Sequence, residues 1–179
     1  LGYRANLEAN AVDAQGVPRK TAIRLQRITG SSSSPEPTRA VYLGNDEGVV
    51  RASVEEAGMY QVEVSGTRDY DDPDAEVWCG GTTQVHLSGH DAEPFSLVVH
   101  RGVPVKVLSP TLAAGLHTGL RVRFVDSLGV VRHPPWTRAG YPLAPGTYEV
   151  SIDRNGASLA AQEVTVASDP VLIYFPLDE

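Results

Sequence analysis

A seven-residue pattern occurs twice in this chain and narrows what it can fold into. Gly58-Met59-Tyr60-Gln61-Val62-Glu63-Val64 returns as Gly146-Thr147-Tyr148-Glu149-Val150-Ser151-Ile152. In both, glycine opens a run whose alternate residues are apolar, and a period of two is the signature of a half-buried β-strand. Ahead of the first copy, Asn45-Asp46-Glu47-Gly48 supplies a turn, and Val50, Ala52 and Val54 form the inward set of another strand. Two copies of one β unit in 179 residues predict an all-β chain of two small sandwiches in tandem.

The remaining segments agree. Tyr3, Ala5, Leu7, Ala9 and Ala11 share one face of a first strand, and Asp13-Ala14-Gln15-Gly16 turns out of it. Ile23 and Leu25 face inward on the next strand, and residues 30–37, GSSSSPEP, read as a long surface connection. Val85 and Leu87 belong to a short strand, followed by one at Phe95–Val99. Arg101-Gly102 is the expected boundary, giving domains 1–101, with an acidic loop insertion, and a smaller 102–179. In the second, Val103, Val105 and Val107 face inward, then Leu120, Val122 and Phe124, with Arg121 and Arg123 outside. Asp126-Ser127-Leu128-Gly129 repeats the first turn, and a final strand is expected from Val171 to Leu177. Residues 159–164 form one helical turn at most, and no longer helix is predicted.

Composition removes several functions. A formal net charge of −7 opposes binding to nucleic acid or to an anionic membrane surface, both of which select basic proteins. No apolar run approaches the roughly 20 residues that a membrane helix needs, so no membrane insertion is expected. Cys79 is the sole cysteine, which precludes an intrachain disulfide. The sequence opens at Leu1 with no visible signal peptide, as expected of a piece excised from a longer protein.

Side by side, the two units resemble the carboxypeptidase regulatory-like, transthyretin-like (prealbumin-like) β-sandwich family. The resemblance rests on Asp13-Ala14-Gln15-Gly16-Val17-Pro18, Asn45-Asp46-Glu47-Gly48 and Ala57-Gly58-Met59-Tyr60 in the first unit. In the second it rests on Asp126-Ser127-Leu128-Gly129 and Ala144-Pro145-Gly146-Thr147-Tyr148. Ala57 stands where the family pattern has proline, and the second unit lacks a clear second Asp-x-x-Gly between Gly129 and its tyrosine. The resemblance implies Ig-like/transthyretin-like sandwiches. Glycine admits a sharp entry to the strand, and the tyrosine ring packs inward while its hydroxyl reaches back to the turn. Both tyrosines are therefore structural.

Catalytic constellations are absent from the pattern. Transthyretin relatives that hydrolyse small heterocycles end in Tyr-Arg-Gly-Ser, whereas this chain ends Phe175-Pro176-Leu177-Asp178-Glu179. His86, His90, His100, His117 and His133 are scattered, and no Gly-x-Ser-x-Gly elbow exists. No enzyme is expected. Lys106 bears on the isopeptide crosslinks of related stalk domains, but it alternates out of phase with the inward valines and reads as solvated.

Two loops carry the candidate sites. Asp69, Asp71, Asp72, Asp74 and Glu76 crowd five carboxylates into one loop, a candidate calcium site because Ca²⁺ takes six to eight hard oxygens. The alternative is a solvated acidic loop, and no other cofactor is expected. Cys79, His86 and His90 lack a fourth ligand for structural zinc. Trp136, Tyr141 and Tyr70 are candidate ligand-binding residues, since a flat aromatic face stacks at low entropic cost. The alternative for Trp136 is a plug at one end of the second sandwich.

The expected role is a noncatalytic structural, spacer or assembly module of a larger bacterial extracytoplasmic protein. Its partners are then neighbouring domains of that parent or copies of itself. The other reading is a module that binds carbohydrate or protein through its loop aromatics.

Overall fold

In the computed structural model of the chain, residues 5–28, 40–67, 75–88, 94–110 and 119–176 are described. They contain sixteen β-strands. Residues 68–75 aside, the chain divides into two compact units, Leu1–Thr67 with Glu76–Arg101, and Gly102–Glu179.

The first unit is a sandwich of two sheets. β1 (Ala5–Val12) is the centre of one, flanked by β4 (Val49–Val54) and β8 (Phe95–Val98). The other runs β3 (Ala40–Leu43), β2 (Ala22–Arg27), β5 (Gly58–Val64), β7 (Thr82–Leu87) in spatial order. A two-residue ladder joins β6 (Trp78–Cys79) to β9 (His100–Arg101). The alternation seen in the sequence decides which side chains meet between the sheets. Ala5, Leu7, Ala9 and Ala11 from β1 pack with Ile23, Leu25, Val50, Tyr60 and Val62 in one core. Each fully buried valine or leucine contributes about 1.5–3 kcal/mol over its exposed state.

The second unit repeats the plan. One sheet has β10 (Val103–Leu108) between β13 (Tyr141–Leu143) and β16 (Val171–Tyr174). The other runs β12 (Val131–Arg132), β11 (Leu120–Asp126), β14 (Gly146–Arg154), β15 (Ala157–Val166). Val105, Phe124, Tyr148, Val150, Ile152 and Ile173 form its core. Strand for strand the topology equals that of the first unit once the short β6–β9 ladder is set aside. In each, the first strand pairs antiparallel with the fourth and parallel with the last. Both units are β-sandwiches.

Three turns share one hydrogen-bonded design. The side-chain oxygen of Asp13 accepts the N–H groups of Gln15 and Val17, both at 2.9 Å. Asn45 does the same for Glu47 and Val49, and Asp126 for Leu128 and Val130. The glycine three residues on donates back to the carbonyl of Asp13, Asn45 or Asp126. A short acceptor that bonds its own following backbone makes such a turn a local decision. The two tyrosines also behave alike. Tyr60 donates to the Glu56 carbonyl and Tyr148 to the Ala144 carbonyl, each at 2.8 Å. Gly146 opens its strand at φ 158°, and a Cβ there would lie 3.5 Å from the Tyr148 ring, an ordinary van der Waals contact.

Three features depart from the sequence-based expectation, and the single helical turn that it allowed does not form. Residues 159–164 are not helical in any part: they lie inside β15, paired along β14 from Gly146↔Val166 to Arg154↔Ala157. Leu159 falls at a register shift between Ile152 and Asp153, and the helix preference of Leu159, Ala160 and Ala161 is small beside the cross-strand pairing on either side of it. β16 stops at Tyr174, short of Leu177, and Pro176 has no N–H with which to extend a ladder. Tyr141 is not a loop residue, because it opens β13 opposite Val105. Glu63 lies on the polar face of β5, yet it is buried, opposite Arg24.

A cleft between the sheets of the second unit

Trp136 and Tyr141 line one cleft of about 700 Å³ in the second sandwich. Tyr70, Asp69, Asp71, Asp72 and Asp74 lie outside the described residues. Glu76 is described, and its carboxylate is 3.1 Å from Nη2 of Arg101. Among the described residues no three His, Cys, Asp or Glu side chains gather as a metal site would require. Cys79 is buried in β6 opposite His100, and His86 is exposed on β7.

The cleft opens where β10 and β11, from opposite sheets, are only partly covered. Val107, Leu120, Val122 and Tyr141 are half-buried there and border the core. Its third wall is the segment from Trp136 to Tyr141, held by a tight backbone clasp. Thr137 and Gly140 exchange N–H to carbonyl bonds at 3.0 and 3.1 Å. The Thr137 hydroxyl also donates to the Gly140 carbonyl at 2.7 Å. Gly140, at φ 125°, presses so closely on β10 that a Cβ would fall 2.6 Å from the Val105 carbonyl oxygen.

This clasp gives the two aromatics different duties. The Tyr141 ring packs against Phe124, centroids 5.0 Å apart and planes at 58°. Burial pushes its hydroxyl pKa above the usual phenol value, because the charged form loses water. Trp136 is 59% exposed, so it does not plug the end of the sandwich.

Three cations complete the walls: Lys106 from β10, Arg121 from β11 and Arg138 from the clasp. Lys106 is exposed, out of phase with the buried Val103 and Val105, as its alternation required. The convergence of these cations was missed in the sequence. Each occupies an ordinary outward or loop position, and no linear spacing connects them. No carboxylate, histidine or cysteine is among the described residues that line the cleft. The Thr137 hydroxyl is already committed to a carbonyl. The arrangement is therefore equipped to hold a ligand through stacking and charge. A second cleft of about 400 Å³ lies in the first unit, bordered by Glu8 and Arg51, which form an ion pair at 2.7 Å.

No family model matches the chain, and no curated protein matches it either. Solved structures similar to it include the Bacillus anthracis TIE protein, at 11% identity and a TM-score of 0.39. They also include a Streptococcal ancillary pilin, at 11% and 0.41, and the D295N mutant of shaft pilin spaA from Lactobacillus rhamnosus GG, at 9% and 0.38. The alignments cover 98%, 97% and 96% of this chain. They take in 34% of the TIE chain, 62% of the ancillary pilin and 96% of the shaft pilin, so the chain spans less than two thirds of the first two.

Proposed function

We propose that the chain is a noncatalytic structural module that transmits tension between the segments it joins. It is of carboxypeptidase regulatory-like, transthyretin-like type and belongs to a larger bacterial extracytoplasmic protein. Its partners are neighbouring domains of that parent or copies of itself. Among the described residues no helix is long and apolar enough to cross a membrane.

The observation that supports this reading is the parallel pairing of first and last strands in each unit. β1 aligns with β8 from Ala9↔Phe95 to Val12↔Val98, and β10 with β16 from Val105↔Val171 to Leu108↔Tyr174. Pulling such a unit by its two ends drags neighbouring strands in opposite directions along their axes. All the ladder bonds are then loaded together. Antiparallel neighbours pulled from one end break their bonds in succession, which takes far less force.

Force spectroscopy tests this. The whole chain is stretched once through its termini and once through cysteines placed at Thr147 and Thr165, opposed residues at the open end of the β14–β15 hairpin. The expected result is an unfolding force several-fold higher through the termini. Equal forces in the two directions would remove the mechanical role.

A further inference from the structure

We propose that the cleft of the second unit binds an acidic saccharide, its sugar ring stacked on Trp136 and its anionic group held by Lys106, Arg121 and Arg138. This goes beyond the structural role and stands or falls separately from it.

Charge is the first observation. The chain holds 15 basic and 22 acidic residues, and half of the twelve described cations pair with a carboxylate. Arg19, Lys20, Arg27, Arg51, Arg101 and Arg132 each pair with one. Among the described residues Lys106, Arg121 and Arg138 line one cleft and make no ion pair. The carboxylate nearest in the ladder is Asp153, opposite Arg121, and it accepts the Ser151 hydroxyl at 2.8 Å instead. Three cations around one concavity, with Asp153 as the carboxylate facing Arg121 across the ladder, leave a net positive lining that favours a bound anion on a protein of net charge −7.

Shape is the second. The Trp136 side chain is mostly exposed, although burying so large an apolar surface elsewhere would be favourable. It immediately precedes the backbone clasp of Thr137 and Gly140, so the segment that carries it is ordered before a ring stacks on it. Behind it, Val107, Val122 and Tyr141 supply an apolar wall for the ring's C–H face. The volume of about 700 Å³ is that of a small-ligand site. A nucleic acid would need an extended basic track and would meet repulsion from the rest of the surface. A sugar carrying carboxylate or sulfate matches the stacking face and the cations together.

Isothermal titration of the full chain at low salt tests this with four probes. They are oligogalacturonate for carboxylate, a heparin-derived oligosaccharide for sulfate, a neutral cello-oligosaccharide, and oligoglutamate as an anion without sugar rings. Binding of one or both acidic saccharides is expected, weakening as salt rises, with the neutral probe and oligoglutamate at least tenfold weaker. Whichever acidic probe binds better identifies the anionic group. Trp136→Ala, and the pair Arg121→Ala with Arg138→Ala, should each weaken binding about tenfold or more, equal to about 1.4 kcal/mol. All three side chains are exposed, so unchanged circular dichroism will show an intact fold. The proposal is overturned if no acidic saccharide binds, if the neutral probe binds equally well, or if oligoglutamate matches the saccharides and survives Trp136→Ala.

Discussion

The Tyr148 hydroxyl donates to the Ala144 carbonyl at 2.8 Å, four residues back along the chain and out of contact with water. The Tyr60 hydroxyl makes the same bond to Glu56 in a more open setting. Each ring is thereby pinned in its core where the chain enters an interior strand of its unit's four-stranded sheet. A buried carbonyl deprived of its donor loses about 1–3 kcal/mol, and a wetter one less. Tyr148→Phe should cost about 1–2 kcal/mol and Tyr60→Phe about 0.5–1 kcal/mol. Urea unfolding read by tryptophan fluorescence separates the two, since Trp78 lies in the first unit and Trp136 in the second.

Gly48 and Gly129 occupy the same position of the same turn, at φ 75° and 77°. Their surroundings differ. A Cβ on Gly48 would lie 2.5 Å from the Ala11 carbonyl oxygen, whereas one on Gly129 would meet nothing within 4 Å. Gly129→Ala should cost only the left-handed backbone penalty, about 1–2 kcal/mol. Gly48→Ala must also displace β1 backbone and should cost at least about 1 kcal/mol more. Equal losses in thermal denaturation would show that the first turn yields without cost.

Asp13 is 5% exposed, and the Val17 N–H, with help from the Arg19 guanidinium and the Gln15 N–H, holds its carboxyl below the ordinary aspartate pKa. Burial opposes this without cancelling it. A depressed folded-state pKa gives stability that is present in full above the unfolded value, near 3.9, and is lost as pH falls through the folded value. Asp13→Asn keeps the acceptor oxygen, as Asn45 does in its own turn, but cannot titrate. The variant should be less stable than the parent at pH 7 and should show a shallower loss on acidification. Parallel stability-against-pH curves would contradict the assignment.

Lys106 is exposed beside the cleft and points away from the core that holds Val105. An isopeptide bond needs a lysine enclosed with its acid and amide partners, because the reaction depends on low dielectric and fixed contact. Intact-mass spectrometry should therefore return the unmodified sequence mass, with no loss of ammonia or water. Lys106→Ala should leave thermal stability within about 0.5 kcal/mol.

Much of the scaffold was legible because its causes are local. Alternation placed Ala5, Leu7, Tyr60, Val62, Phe124 and Val150 inward, and all are buried. The Asp13, Asn45 and Asp126 turns close on their own backbone within four residues. The candidate site was legible only in its aromatics. Trp136 and Tyr141 are candidates in the sequence as flat aromatic faces, yet Tyr141 is half core, through Phe124.

The sequence by itself determined which residues could be strand, which face of each strand is apolar and where the chain turns, since these depend on side chains a few positions apart. Only the tertiary structure decided what lies beside what. It set β8 parallel to β1 and β16 parallel to β10, drew Ala157–Val166 out along β14, and buried Glu63 opposite Arg24. It also brought Lys106, Arg121, Arg138 and Trp136 around one cleft. Those relations join residues far apart in the chain. Alternation reports the face on which a side chain emerges, but only packing of the two sheets decides which distant faces share a space.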